Sequence, residues 1–377
     1  MSLFKINDFT RLRQYSHIIW DIDRTITDED GALSEPVAAK IINLALTERT
    51  YHTFITGRDA SWIETKVISR LTPFYKFHDV RNYLSFYGEV GCVIQQVDEV
   101  GQVSHRFDKE IEDHPLKTNR DGIRNTLRQL VYDPAQLIRY EGGKLQGSQE
   151  VIYDANEVGW VMDPSMHQPP RCRPYIWATT KEAFATFEKI RDAYGHFADF
   201  DQEQYADIIR QTITSAGFQD HLDIEVIGTA INIVPKVNGL KLGKSWAAGK
   251  ALLHLREKLG ETEIALEQVI AGTISAGDGR ADLDFTRPTF PDDISRKLDL
   301  QRRKLDIIFV GGKLDLPKDS DPDANLKRNI IIQATGAGTL TVDAIAKSIS
   351  WQDATGARVI SEVLDYLKTW NHFRPFM

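Results

Sequence analysis

The sequence predicts an α/β protein: a doubly wound parallel sheet carrying an inserted α+β segment. Three observations lead there. Short apolar runs, such as Ile18-Ile19-Trp20 and Tyr51 to Ile55, end in Asp, Thr or Gly and alternate with segments of helical spacing. That rhythm breaks off near residue 97. It returns near residue 237, so one fold is interrupted rather than followed by another.

Element by element, the run Ile18 to Trp20, ending in Asp21 and Asp23, reads as a buried strand, and Ser34 to Thr47 as a helix. Ser34 stands at its N-cap, Pro36 just inside, and Val37, Ile41 and Leu44 share one face. A second strand, Tyr51 to Thr56, is closed by Gly57-Arg58-Asp59 and followed by a helical segment from Ala60 to about Leu71. Tyr83 to Gln96 reads as two short apolar runs around Gly88 and Gly91. The stretch Glu99 to Arg173 is polar and strand-like in patches. Arg173 to Thr179 reads as a strand, Lys181 to Tyr194 as a helix, and Ile224 to Val234 as two strands around Gly228. Beyond it come a helix from Lys244 to about Lys258 and strands Val269 to Ile274, Asp306 to Val310 and Asn329 to Gln333. A helix from Asp343 closes the chain, and Leu314 to Lys327 reads as a surface loop. The division expected is a core of residues 1–97 and 237–377 with an inserted domain of residues 98–236.

Composition narrows the function. The 377 residues are 42% hydrophobic and 27% charged, an ordinary globular balance with ample material for a core. A net charge of -8 argues against a general nucleic-acid binder. No apolar stretch is long enough to span a membrane, and the first residues lack a signal-peptide core. Cys92 and Cys172 have neither metal-ligand spacing nor a disulfide framework, so a reduced, cytoplasmic enzyme is expected. The ten histidines have no ligand spacing and read as ordinary polar or core residues.

Four motifs stand in order: Asp21-x-Asp23-x-Thr25, Thr56-Gly57-Arg58, Lys244, and Gly277-Asp278 followed by Asp282. Carboxylates two residues apart on a strand end, beside a hard cation, suit phosphoryl transfer, one as nucleophile and one as proton shuttle. Gly239-x-x-x-Gly243-Lys244-Ser245 mimics a P-loop but has three residues between its glycines where four are needed.

This order of motifs resembles the haloacid dehalogenase-like phosphatases. The position of the insertion is similar to the C2-type cap of the Cof-like and sugar-phosphate phosphatases. Ser85 to Ile94 is similar to the strand pair before such a cap, and Thr229 to Pro235 to the strand leaving it. The resemblance implies that Asp21 attacks phosphorus and becomes an aspartyl phosphate, with Asp23 as acid and then base. It implies Mg²⁺ held by Asp21, the Asp23 carbonyl and Asp278, with Asp282 binding metal water or orienting Lys244. Thr56 and the Gly57 amide would hold phosphate oxygens, with Thr25 and Arg58 beside them, and Lys244 would neutralise phosphate and Asp21 together; Lys241 is the alternative lysine. A cleft between core and cap is expected to take a sugar phosphate or similar small phosphorylated metabolite. The sequence leaves oligomeric state and substrate open, with Arg171, Arg173 and Lys144 as candidate distal contacts. A phosphotransferase of the phosphomannomutase kind needs the same residues; a non-catalytic binding protein is the other alternative. Two departures matter: the residue between Asp23 and Thr25 is commonly glycine in the family and here is Arg24, and the lead-in to the lysine, Val237 to Lys244, is longer than usual.

Overall fold

The computed structural model describes residues 5–6, 15–28, 30–74, 76–119, 121–123, 138–139, 171–172, 175–177, 181–183, 185–189, 202–227, 230–260, 265–296, 298, 304–311, 330–335, 339–340 and 356–371. The chain divides into two compact units, residues 1–106 with 243–377, and residues 107–242.

The first unit is built on strands β1 (Lys5–Ile6), β2 (His17–Asp21), β3 (Tyr51–Ile55), β4 (Leu84–Gly88), β5 (Val93–Val97) and β6 (Val103–Phe107). In the second unit, β7 (Ile138–Arg139) pairs with β8 (Arg171–Cys172). The strands β9 (Tyr175–Trp177), β10 (Ala185–Lys189), β11 (Leu222–Ile227), β12 (Ala230–Val237) and β13 (Leu240–Lys241) form its five-stranded antiparallel sheet. The core resumes with β14 (Thr273–Gly277), β15 (Asp306–Phe309), β16 (Ile330–Thr335) and β17 (Thr339–Leu340).

The core sheet runs in the order β1-β16-β15-β14-β2-β3-β4-β5-β6, with β17 beside β16. From β16 to β4 all neighbours are parallel, and β1 and β5 join antiparallel. The chain runs outward from β2 in one direction and returns to its other side at β14, the doubly wound pattern expected. The central strands are buried on both faces: Ile18, Ile19, Trp20, Phe54, Ile274 and Ile308 are all inaccessible to solvent. Helix Glu35–Glu48 lays Val37, Ala38, Ile41 and Ala45 on one side of the sheet, and the helix Gly356–Asn371 adds Val359, Ile360 and Val363 to the same core. A Lys40–Asp365 ion pair of 2.7 Å ties the two helices at their surface.

Two expectations of the sequence give way. Lys181 to Tyr194 does not form a helix over its described part: Ala185–Lys189 is the strand β10, between β9 and β12. Lys, Glu and Ala favour a helix, but Ala185 and Phe187 alternate onto a face shared with Tyr205 and Ile209, and tertiary pairing overrides propensity. Val269 belongs to a helix, Leu266–Ala271, and the strand begins only at Thr273. Leu266, Val269 and Ile270 are buried at helical spacing, a short pattern that apolar content alone does not separate from a strand. Leu314 to Lys327, Arg173, Lys144 and the segment from Asp343 to residue 355 lie outside the described residues.

The P-loop look-alike is a β-hairpin. Asn238 (φ +51°) and Gly239 (φ +76°) are the two loop residues joining β12 to β13. Asn-Gly is the pair such a turn favours, because both positions need positive φ. His17 and His52 are core residues. His17 bridges Thr273 (3.0 Å) and Thr53 (2.8 Å), and His52 accepts the Trp20 indole N–H at 3.1 Å. Burial holds both imidazoles neutral, with pKa values lowered to about 3. Among the described residues no helix is long and apolar enough to cross a membrane.

Candidate active site

Three adjacent parallel strands, β14, β2 and β3, end side by side. β2 stops at Asp21, β3 hands on to Thr56, and β14 to Asp278. Carboxyl ends of such strands are where α/β sheets bind ligands, so topology alone converges three of the four motifs. The fourth arrives from the helix Lys244–Leu259, whose first residue is Lys244.

Lys244 is the hub. Its Nζ donates to Asp21 Oδ1 at 2.6 Å and to Asp282 Oδ1, over the ring of Phe285. A cation at a helix N-terminus opposes the helix dipole, so this position needs its carboxylate partners. Burial alone would lower its pKa, but Asp21 and Asp282 outweigh that and hold the ammonium above the ordinary lysine range. Lys241 lies elsewhere, on β13, with its Nζ 3.5 Å from Glu225. Geometry therefore puts Lys244, and not Lys241, on the aspartates.

Asp21 is nearly enclosed, with 6% of its side chain accessible. Its second oxygen accepts the Thr25 hydroxyl at 2.9 Å, which fixes the carboxylate with one oxygen on the lysine and one on the threonine. Burial pushes its pKa well up, the neighbouring Asp282 and Asp278 push it further, and Lys244 opposes them. Asp21, Asp278 and Asp282 each present a carboxylate oxygen within 4.8 Å of the others.

Asp282 is not a spare ligand. Lys244 occupies Oδ1, while Oδ2 accepts the backbone N–H groups of Asp278 (2.8 Å) and Gly279 (2.6 Å). It is the clamp that shapes the turn after β14. The turn also depends on missing side chains: a Cβ at Gly277 would lie 2.2 Å from Asp282 Cβ, and one at Gly311 would lie 1.7 Å from the Asp278 carbonyl oxygen. Sequence reasoning did not single out Gly311 or Phe285; a lone glycine after a strand and one phenylalanine in a short turn carry no pattern.

Asp23 lies in the turn beyond the end of β2, with 38% of its side chain exposed. The Thr56 hydroxyl reaches it at 3.2 Å, and the Arg58 guanidinium approaches both its oxygens at 3.2 to 3.5 Å. Arg58 also rests on the Trp62 ring, 5.6 Å from its centroid. Thr56 Oγ1 accepts the Arg58 N–H at 3.1 Å, and Asp59 caps the next helix through the Trp62 N–H at 2.9 Å. A Cβ at Gly57 would meet no atom within 4 Å, so the space beside it is open.

Arg24 stands at φ +59°, in the left-handed region. Its guanidinium lies 3.0 Å from Asp278 Oδ2, with 79% of the side chain exposed. Thus Asp21, Asp23, Thr25, Thr56, Arg58, Lys244, Asp278 and Asp282 are each hydrogen-bonded or ion-paired to another residue of the motifs.

No family model matches this chain, and no curated protein matches it. Solved structures similar to it include a trehalose-6-phosphate phosphatase of Aspergillus fumigatus, at 12% identity over 98% of this chain and 99% of that one, with a TM-score of 0.46. The IMP-nucleotidase of Plasmodium falciparum is 11% identical over 80% and 67%, with a TM-score of 0.46. TM0651 of Thermotoga maritima is 14% identical over 93% and 97%, with a TM-score of 0.43. At these identities and scores the likeness carries no functional argument, and the function is read from the site's own residues.

Proposed function

We propose that this chain is a haloacid dehalogenase-like phosphatase that hydrolyses a small phosphomonoester, a sugar phosphate or similar metabolite, through a phosphorylated Asp21. The observation that carries the reading is the asymmetry of the two aspartates. Asp21 is buried and locked by Lys244 and Thr25, as an oriented nucleophile needs, whereas Asp23 is half-exposed beside Thr56 and Arg58, as a proton shuttle needs.

In the first step an Asp21 oxygen bonds to phosphorus as the bond to the leaving oxygen breaks, and Asp23 gives that oxygen its proton. In the second, Asp23 takes a proton from water, the resulting hydroxide bonds to phosphorus, and the Asp21–phosphorus bond breaks to return the carboxylate and inorganic phosphate. Lys244 offsets the negative charge gathered on Asp21 and the phosphoryl oxygens. Thr56 and Arg58 are the donors for those oxygens, Arg58 by exchanging Asp23 for phosphate.

The clustered carboxylates fit a hard divalent cation. With Asp282 engaged by Lys244 and two amides, Asp21 and Asp278 are the pair to hold Mg²⁺, which would supply further charge neutralisation when bound. Residues 107–242 serve in this reading as the substrate-selecting cap. The test is a panel of sugar phosphates, nucleoside monophosphates and phosphoglycerates, assayed for phosphate release with Mg²⁺ on wild type and Asp21→Asn. Release by wild type alone supports the reading. Equal release by both, or none by wild type on any substrate, sinks it.

A further inference from the structure

We propose that Arg24 is a tethered cation that competes with the divalent metal for Asp278, and so sets the metal affinity of the site low. The inference rests on reading Asp21 and Asp278 as the metal-holding pair.

The first support is conformational. A left-handed backbone costs roughly 1–2 kcal/mol for a residue with a Cβ and nothing comparable for glycine. The turn leaves Arg24 no other choice. Its N–H donates to Thr27 Oγ1 at 2.9 Å, and the next two amides, of Thr25 and Ile26, both return to the Ile22 carbonyl at 3.3 and 3.1 Å. From outside, the start of helix Gly356–Asn371 presses on the same turn so closely that a Cβ at Gly356 would lie 2.1 Å from the Arg24 carbonyl oxygen. An arginine held at positive φ points to work for its side chain.

The second support is what that side chain touches. The guanidinium pairs with Asp278 at 3.0 Å, and Asp278 is only 13% exposed while Arg24 is 79% exposed. The pair is one-sided: a largely buried carboxylate, and a long side chain reaching in from solvent. The backbone around Asp278 is held without Arg24. The Asp278 and Gly279 amides are already clamped by Asp282, and the Val310 N–H holds the Gly277 carbonyl at 2.9 Å. Arg24 therefore acts on the Asp278 carboxylate from a turn it does not itself hold, and it acts through its charge. That charge works against a second cation on the same carboxylate, because two positive groups sharing one anion repel. Lys244 sits on Asp21 and Asp282, so Arg24 is the group to remove if this effect is to be isolated.

The test measures Mn²⁺ binding, as a probe for Mg²⁺, by titration calorimetry and by the electron-spin resonance of free Mn²⁺. The proteins are full-length wild type, Arg24→Gln, Arg24→Lys and Asp278→Asn, each checked for folding by thermal melting. Arg24→Gln should bind on the order of tenfold tighter than wild type at low salt. Arg24→Lys, which keeps the charge, should stay near wild type. The advantage of Arg24→Gln should shrink as ionic strength rises, since the guanidinium is exposed. If Asp278→Asn abolishes binding while Arg24→Gln binds no tighter than wild type, the role of Arg24 is wrong and the metal pair stands. Weaker binding by Arg24→Gln also overturns it, making Arg24 a positioning residue. If Asp278→Asn binds as wild type does, the metal pair itself is wrong and Arg24 falls with it.

Discussion

Replacing Lys244 by methionine is the most searching perturbation of the site, because it removes one charge and leaves two buried ones. The methionine stem still fills the space over Phe285, so little packing is lost. What is lost is the partner of Asp21 and Asp282, whose side chains are only 6% and 2% exposed. Breaking a buried pair by removing one member costs about 3–5 kcal/mol, because the remaining charge has no compensation. For a unit of this size that corresponds to a fall in melting temperature of roughly 6–20 °C. The penalty should depend on pH, and its sign is set by Asp21. Its folded-state pKa is raised, so the folded protein holds its proton longer than the unfolded chain does. Stability therefore declines as pH rises through the folded pKa. Lys244 is the group that opposes this rise, so its removal extends the decline to higher pH. Thermal melts in the absence of metal, at about pH 5 and about pH 8, should show the smaller loss at the acid end. A variant that melts with wild type at about pH 8, or loses the same amount at both, would refute the claim that Lys244 compensates buried carboxylates.

Two further outcomes are expected of the same cluster. Chelation by EDTA should abolish phosphatase activity and added Mg²⁺ restore it, while Ca²⁺, with its looser and higher coordination, should inhibit; full activity in chelator would show that the reaction needs no metal. Gly277→Ala should destabilise by about 1–3 kcal/mol, because the new Cβ would stand 2.2 Å from Asp282 Cβ and neither backbone can easily give. A chemical denaturation curve unchanged from wild type would show that the turn has slack.

Much of the fold and site was legible in the sequence because the relevant signals are local. An apolar run ending in Asp21 identifies a strand and delivers its last residue to the sheet's edge. Parallel neighbours β3 and β14 repeat the device with Thr56 and Asp278. The sequence favoured Lys244 over Lys241 only by its place at the opening of a helix. The choice turns on the Asn238-Gly239 hairpin, which binds Lys241 into β13 and starts the helix at Lys244. That dipeptide was itself a readable signal. The Ala185–Lys189 strand was hidden because its identity depends on pairing with Ile231 and Ile233, more than forty residues away. The Asp278 partner of Arg24 was out of reach for the same reason: an ion pair between distant segments leaves no spacing to read.

The central claim is that Asp21 carries the phosphoryl group, and the direct measurement is to catch it there. Wild type and Asp21→Asn are mixed with a turned-over phosphomonoester and Mg²⁺, quenched in acid within milliseconds, and digested for peptide mass spectrometry. One phosphoryl group is expected on the peptide containing Asp21 in wild type, removed by hydroxylamine, and none in the variant. Turnover by wild type with no phosphorylated peptide, or a phosphoryl group on any other residue, would contradict the claim.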